Sequence, residues 1–366
     1  TWRSALISCR VKCEEPQLRG WEVTENKMPV GADGQAPSVP KAVFVTGANG
    51  FIGRALLQRY RDLGCDARGM DFQPDPARNV VAGDLMRPET WAMHAKGCDL
   101  FIHTASVVSL SAEWSQYRLI SVDGTRIALD AAIAGGAKRF VHFSSIAALG
   151  NDYAVGATER SSVVIGPDYR YGVGKGASEH VVLAAHAAGE IDCTIIRPGD
   201  VYGPGSRAWL LEPLHMARRG RLLLPDGGRG IFTPVYVDDL LDGVMLAAGL
   251  AVGSGQIFIL WGNEPVSCKN FFAYHWRWAG RKNFPPSLPF HMLLWLTWGV
   301  RTINKLLRIQ DETDPDTILM FSRPGGYGTE KARQLLGYFP KVNLTEGMRR
   351  SEIWLRSIGE NINSKS

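Results

Sequence analysis

Long apolar runs are missing from this chain. The longest, within Phe284 to Val300, is too short to cross a bilayer, and His291 and Thr297 interrupt it. Residues 1–40 hold no sustained apolar segment able to act as a signal sequence, and the Gly, Pro and polar content from Glu25 to Pro40 predicts that 1–40 form a mobile leader outside the fold. No long basic run appears either. The formal net charge is +5 over 366 residues with acids and bases interspersed, which argues for solubility and against a nucleic-acid partner. Cysteine is sparse, at six residues, and Cys9 and Cys13 have poor spacing for zinc and no histidine partners, so no metal site is expected. Cys65, Cys98 and Cys193 lie in or beside apolar segments and read as reduced core residues, for which a cytoplasmic location is simplest.

What is present is apolar content of 45%, enough for one large α/β domain or a main domain with a smaller one. The chain is organised around Lys41 to Leu56, KAVFVTGANGFIGRAL. Val43, Phe44 and Val45 read as a strand buried on both faces. Gly47, Gly50 and Gly53 follow: the first suits a tight turn, the second lets backbone approach a pyrophosphate, and the third lets the next helix pack on the strand. Amide groups at that helix start would face phosphates. An ordinary glycine turn is the alternative, but the strand before, the amphipathic helix after and a second strand from Cys65 to Asp71 favour a dinucleotide. Asp71 lies where an acid binds the adenosine ribose hydroxyls, and its charge repels a 2′-phosphate, so NAD is expected over NADP. Arg68 or Arg78 would serve a 2′-phosphate in the opposite case.

Further along, Val80 to Leu85 reads as a short strand ending at Asp84, which either accepts from the adenine amino group or caps a helix. Cys98 to His103 is a buried strand running into the small residues Thr104, Ala105 and Ser106, which suit a sheet edge crossed by a cofactor. Ser121 to Ile133 has helical spacing, and Phe140 to Ser145 is a strand that ends in two hydroxyls, Ser144 and Ser145. Strands alternating with helices in this way predict a Rossmann-type doubly wound parallel sheet, with ligands at the carboxyl ends of its strands. Tyr171 and Lys175 open the next helix four residues apart, on one face. An ammonium beside a phenol favours the phenolate, so the spacing predicts a lowered Tyr171 pKa, with Ser145 holding a substrate oxygen. A surface pair is the alternative for any isolated Tyr-x-x-x-Lys.

TGANGFIG at 46–53, the Ser-Ser strand end, YGVGK with GASE after it, and RPGDVYGPG at Arg197 to Gly205 together resemble the extended short-chain dehydrogenase/reductases. That branch holds nucleotide-sugar epimerases and dehydratases, dihydroflavonol reductases and 3β-hydroxysteroid dehydrogenases. The similarity runs from about residue 41 to 357. It implies that Ser145, Tyr171 and Lys175 are catalytic, with Tyr171 as acid/base and Lys175 holding the nicotinamide ribose. It implies cofactor contacts from Gly47, Asn49, Gly50, Phe51, Ile52, Gly53, Asp71, Asp84, Leu85, Thr104, Ala105, Ser106, Ser121 and Ser144. Tyr171, Lys175, Pro198 and Val201 join them. Two residues depart from the pattern: Ser121 stands where relatives carry an asparagine that fixes a proton-relay water, and Gly174 replaces a serine or threonine at a helix-propensity cost of ~1 kcal/mol. Activity with a perturbed relay is expected.

Residues 41–205 are therefore expected to form the NAD-binding domain, 206–357 mostly a small substrate-capping region with segments returning to the main domain, and 358–366 a tail. FTPVYVDD at 232–239 resembles the family's Val-His-Val-Asp-Asp segment, with Asp238 and Asp239 read as carboxylates at a helix start. The aromatic stretch Phe271 to Trp278 and the apolar Phe284 to Val300, followed by the basic Arg301, Lys305 and Arg308, fit a membrane-interface helix over 284–308, a lid over an apolar substrate, or plain core or dimer packing. A similar proline-started apolar helix occurs in the hydroxysteroid-dehydrogenase-like members. The expected function is an NAD-dependent oxidoreductase interconverting a secondary alcohol and ketone on a hydrophobic small molecule, such as a 3β-hydroxysteroid. A nucleotide-sugar epimerase or dehydratase retaining NAD is the alternative, with Arg207, Arg218, Arg219, Arg221 and Arg229 available for a diphosphate, and a non-catalytic dinucleotide-binding protein is a third. A homodimer is implied by resemblance alone.

Overall fold

The computed structural model describes residues 28–109, 112–151, 153, 155–166, 169–262, 264–307 and 314–363. Seven strands form one parallel sheet: β1 Ala42–Thr46, β2 Asp66–Asp71, β3 Val80–Ala82, β4 Leu100–His103, β5 Arg139–Phe143, β6 Asp192–Pro198 and β7 Gln256–Leu260. Their spatial order is β7-β6-β5-β4-β1-β2-β3. Connections leave β1 and β4 in opposite directions, which opens a crevice at the carboxyl ends between those two strands.

β1 is buried along its whole length and shows no polar alternation, because helices cover both faces of the sheet. On one side α1 Phe51–Asp62 and α4 Val237–Gly249 bring Leu56, Tyr60, Leu240 and Val244 against Val43, Val45 and Ile196. On the other, α2 Gly124–Gly135 and α3 Arg170–Ala187 bring Leu129, Val182 and Ala185 against Phe44, Phe101 and Phe140. Those three phenylalanines occupy paired register positions on β1, β4 and β5, and successive ring centroids lie 5.4 Å apart. Aromatic neighbours at such separations add to the area they bury.

β7 completes the sheet from beyond residue 205, pairing Gln256 to Leu260 with Thr194 to Pro198 on β6. The rest of the C-terminal half makes short strand pairs and the helices α5 Cys268–Trp278, α6 Phe290–Leu306, α7 Pro315–Met320, α8 Glu330–Leu336 and α9 Leu344–Ser357. α5 is core: Phe271, Phe272, Trp276 and Trp278 are buried, and the Phe232 and Phe271 rings approach to 4.1 Å. α6 buries Leu293 and Thr297 and leaves Trp295, Leu296, Trp298 and Ile303 exposed.

One expectation needs correcting here, and a second extends further than the sequence implied. Residues 28–40 were assigned to a leader outside the fold, yet they lie against the body: Ser38 donates from both its amide and its hydroxyl to the Gly249 carbonyl, at 3.0 and 2.8 Å. Residues 1–27 fall outside the described residues. Asp238 and Asp239 do stand in the first turn of α4, but they face cross-chain partners as well. Asp239 accepts from the amides of Lys341 and Val342 at 2.8 and 3.0 Å, and Asp238 lies 3.6 Å from Arg350 and 3.9 Å from Arg59. The pair thus fastens the C-terminal segment to the nucleotide fold, a contact that sequence spacing does not encode.

A buried ion pair joins α3 to β6. Glu179 receives Arg197 through both carboxylate oxygens, at 2.8 and 2.6 Å, and both side chains are only 2% exposed. Removing one partner leaves an uncompensated buried charge, so Glu179→Ala is expected to cost about 3–5 kcal/mol in urea denaturation. Replacing both partners with apolar residues, Glu179→Leu with Arg197→Met, should recover most of that loss.

Candidate active site

The glycine turn leaves β1 with Gly47 at φ +70, where a side chain would be strained and where an added Cβ would sit 2.9 Å from the Ala105 amide nitrogen. At Gly53 a Cβ would come within 2.2 Å of the Gly47 carbonyl oxygen. The turn therefore stays open as a backbone cradle at the start of α1, with Phe51 and Ile52 in its first turn. Asp71 ends β2 beside it: one carboxylate oxygen accepts from the Asn49 amide at 2.9 Å and the other from the Phe72 amide at 2.7 Å. Arg68 and Arg78, the alternative partners for a 2′-phosphate, pair instead with Asp66 at 3.3 Å and Asp75 at 3.0 Å. An amide cradle with an acid beside it fits a dinucleotide whose adenosine ribose carries free hydroxyls.

The other expected cofactor residues gather along the same sheet edge. Thr104 donates its hydroxyl to the Thr46 carbonyl at 2.7 Å, which fixes Thr104 and Ala105 against Gly47. Ser106 and Ser121 hydroxyls lie 3.0 Å apart, so the serine that replaces the usual asparagine is buried and bonded to its neighbour. It sits in a π-helical segment, Tyr117–Asp123, that leads into α2. Leu85 packs on Gly124. Asp84 accepts from the Met86 amide at 3.0 Å, which caps a turn. Pro198 closes β6 beside Leu260, and Val201 lies in the short strand Asp200–Tyr202, paired with Pro234–Tyr236.

The three expected catalytic residues come together at the end of β5. Ser145 follows the strand, accepts from the Ala147 amide at 3.1 Å and lies close enough to the half-buried Tyr171 phenol to act on its pKa. Lys175, one helical turn below Tyr171, is buried and donates to the Phe143 carbonyl at 2.9 Å. Ser144 points the other way and donates to Glu179 at 2.5 Å, so it belongs to the Glu179–Arg197 pair.

The expectation of a lowered Tyr171 pKa fails. Burial raises it, the Ser145 hydroxyl and the Arg323 charge oppose that rise, and the Asp200 charge adds to it. The Lys175 ammonium is directed at a backbone carbonyl, and its own pKa falls to about 8 through burial, against the pull of Glu179. The phenol therefore keeps its proton at neutral pH, the form that can give a proton to a carbonyl oxygen. Beneath these groups His103 and His142 stack at 5.6 Å. Burial holds both neutral, that of His103 lowering its pKa to about 3.

Sequence spacing missed several neighbours of Tyr171. Arg323, 2% exposed, donates to Asp200 at 3.0 Å and to Asn151 at 3.3 Å. Asp200 also accepts from the Thr233 amide and hydroxyl, each at 3.1 Å. Tyr117 meets the Tyr171 ring edge-on, with centroids 6.3 Å apart. Gly174 packs on Tyr117: an added Cβ would approach the Tyr117 Cβ to 3.2 Å. The helix-weakening glycine is thus the space that Tyr117 occupies, a reason invisible to helix propensity.

A family model described as the NAD dependent epimerase/dehydratase family matches residues 43–259. A 4-hydroxy-2-methyl-3-oxo-4-farnesyl-3,4-dihydroquinoline-1-oxide ketoreductase from Stigmatella aurantiaca is 26% identical over 83% of this chain and 94% of its own length. A decarboxylating sterol-4-alpha-carboxylate 3-dehydrogenase from Mus musculus is 23% identical over 86% of this chain and 91% of its own. Among solved structures, a dTDP-glucose 4,6-dehydratase from Streptomyces venezuelae with NAD bound is similar with a TM-score of 0.68. It is 20% identical and covers 86% of this chain and 97% of its own, a likeness of fold.

Lys175 gives a pH signature with a definite sign. Its pKa is lowered from 10.5 to about 8, so over that window the unfolded chain holds a proton that the folded chain has released, and stability contributed by this group rises with pH. Denaturation midpoints of the wild type and Lys175→Met, compared between those pH values, are expected to diverge, with the wild type gaining. Parallel curves would contradict a buried, weakened ammonium.

Proposed function

This chain belongs to the NAD dependent epimerase/dehydratase family, and from that premise we propose that it interconverts a secondary alcohol and a ketone on a hydrophobic small molecule. NAD, held by the Gly47 to Gly53 turn and Asp71, would supply the hydride acceptor or donor. Ser145 holds the substrate oxygen. In the reductive direction the Tyr171 phenol gives its proton to that oxygen; in the oxidative direction the phenol must first release its proton so that the phenolate takes the hydroxyl proton, which high pH favours. Lys175, fixed through Phe143, holds the segment between Tyr171 and the end of β5 in register.

The observation that carries the choice of substrate is the charge around Tyr171. The charged groups acting on it are Asp200 and Arg323, and these neutralise each other at 3.0 Å. A diphosphate needs cations close to the site, and none of the five arginines considered for one is among the charges acting on Tyr171. Of these, Arg207 is exposed and pairs with Glu212, Arg218 pairs with Glu360, and Arg219, Arg221 and Arg229 lie exposed on the surface. The rings of Tyr117, Tyr153, Tyr169 and Tyr327 surround this neutral pair and the phenol, an environment suited to an apolar ring system. The Stigmatella and mouse relatives are named for a farnesylated dihydroquinoline and a sterol carboxylate, which favours the same class.

Incubation of the protein with NAD and a panel of 3β-hydroxysteroids and other apolar secondary alcohols should produce NADH absorbance. Tyr171→Phe is expected to lower kcat by about 10²–10⁴-fold, the usual contribution of a positioned acid/base, while NAD still binds. Turnover that survives this substitution, or calorimetric binding of UDP-sugars without turnover of any apolar alcohol, would overturn the reading.

A further inference from the structure

We propose that the outward face of α6 docks on an anionic lipid surface, with the helix lying in the plane of the interface. Trp295 and Leu306 are each 78% exposed and Trp298 is 59% exposed, and Met292, Leu296 and Ile303 continue the same apolar surface at helical spacing. Among the described side chains of the helix, only Leu293 and Thr297 turn fully into the body. The neighbouring α5 buries Trp276 and Trp278, so this fold can cover indoles and leaves these two uncovered. A contiguous apolar face of this kind on a surface helix marks an interaction site. Indole rings favour the boundary between water and lipid, and an amphipathic helix with an apolar face binds parallel to it. Among the described residues no helix is long and apolar enough to cross a membrane, which leaves the in-plane arrangement.

Charge decides what covers the face. From Pro265 to Gln310 the sequence contains three lysines and four arginines and no aspartate or glutamate. Against a whole-chain charge of +5, that stretch at +7 leaves the rest of the chain at −2. That stretch alone thus carries more net positive charge than the whole chain, and Asp311, Glu312, Asp314 and Asp316 follow it directly. Lys282 is exposed just before the helix, and Lys269 lies 4.0 Å over the ring of Phe284, itself an exposed apolar residue. Arg301 is partly committed, to Asp314 at 2.8 Å. A second copy seated on this face would bring two such cationic segments together, whereas an anionic leaflet offers both apolar depth and the opposite charge. α6 packs on α7, and the Asp316 carboxylate of α7 acts on Tyr169, two residues before Tyr171. A docked α6 thus leaves one short helix between the lipid surface and the site.

The test is flotation of the full chain with phosphatidylcholine vesicles in which phosphatidylserine makes up roughly a third of the lipid, against vesicles of phosphatidylcholine alone. The protein is expected to float with the mixed vesicles, to float much less with the neutral ones, and to detach as salt is raised. The double variant Trp295→Gln with Trp298→Gln, exposed and therefore expected to keep its melting temperature, should lose about ten-fold in vesicle partitioning, each indole contributing interfacial area. Lys282→Glu should weaken the anionic preference alone. Absence of flotation, equal flotation of the tryptophan variant, or a dimer in sedimentation that the same substitutions dissolve would each overturn the proposal. No substrate enters the test, so its failure and that of the oxidoreductase reading are separate results.

Discussion

Helix α3 has to come close enough to the end of β5 to bring Tyr171 to Ser145, and most side chains would prevent it. At Gly172 an added Cβ would sit 2.4 Å from the Ala147 carbonyl oxygen, and at Gly176 it would press on Val163 at 3.3 Å. Gly174 leaves the space that Tyr117 fills. Three glycines in one stretch cost helix stability, each by about 1 kcal/mol relative to alanine, so the approach needs compensation. Part of it is polar and buried: Lys175 to Phe143, Ser144 to Glu179, and Glu179 to Arg197. These bonds fix the helix along its length against two strands, and the position of the phenol follows from them.

Burial sets the electrostatics of that arrangement. Low polarity around α3 disfavours every charged form, so it holds the two histidines neutral, lowers the Lys175 pKa and raises that of Tyr171 at once. Apart from the Lys175 ammonium, which the Phe143 carbonyl holds and which is not among the charges acting on Tyr171, the charges that remain are paired: Glu179 with Arg197 below the site, and Asp200 with Arg323 beside it. A neutral phenol next to a neutralised ion pair makes a site with little net field. Such a site gains little from an anionic substrate and loses little by excluding water around an apolar one.

Much of this was legible in the sequence where the signal is local. The glycine turn and Asp71 are 22 residues apart and belong to one strand-helix-strand unit, so spacing alone brought them together. Tyr171 and Lys175 share a helix face by periodicity. The expected phenolate failed for a different reason: periodicity places two side chains on one face without saying which acceptor the ammonium will choose, and it chose the Phe143 carbonyl. Asp200 and Arg323 are 123 residues apart, on segments with no pattern in common, and only the folded chain joins them. Gly174 was read as a defect because helix propensity counts the residue and ignores Tyr117 across from it. The exposed face of α6 was one of three readings of an apolar stretch, since periodicity reports amphipathicity and says nothing about whether a partner element is present to cover it.

Among the described residues, the segments beside the phenol are held with fewer bonds than the sheet beneath them. Tyr153 and residues 155–157 meet 325–328 through Tyr153 to the Gly325 carbonyl at 2.6 Å, Gly156 to Gly326 at 3.1 Å and Gly328 to Ala157 at 2.9 Å, with Tyr153 stacked on Tyr327 at 4.5 Å. Loops tied by a handful of contacts open at lower free energy than the strands of a core. Arg323 changes that balance, because it bonds Asn151 on one loop and Asp200 on the strand beyond, and separating the loops would strip a buried guanidinium of its carboxylate. Breaking a buried pair costs far more than parting surface loops. The rim of the site can therefore move on either side of Arg323 more readily than at it.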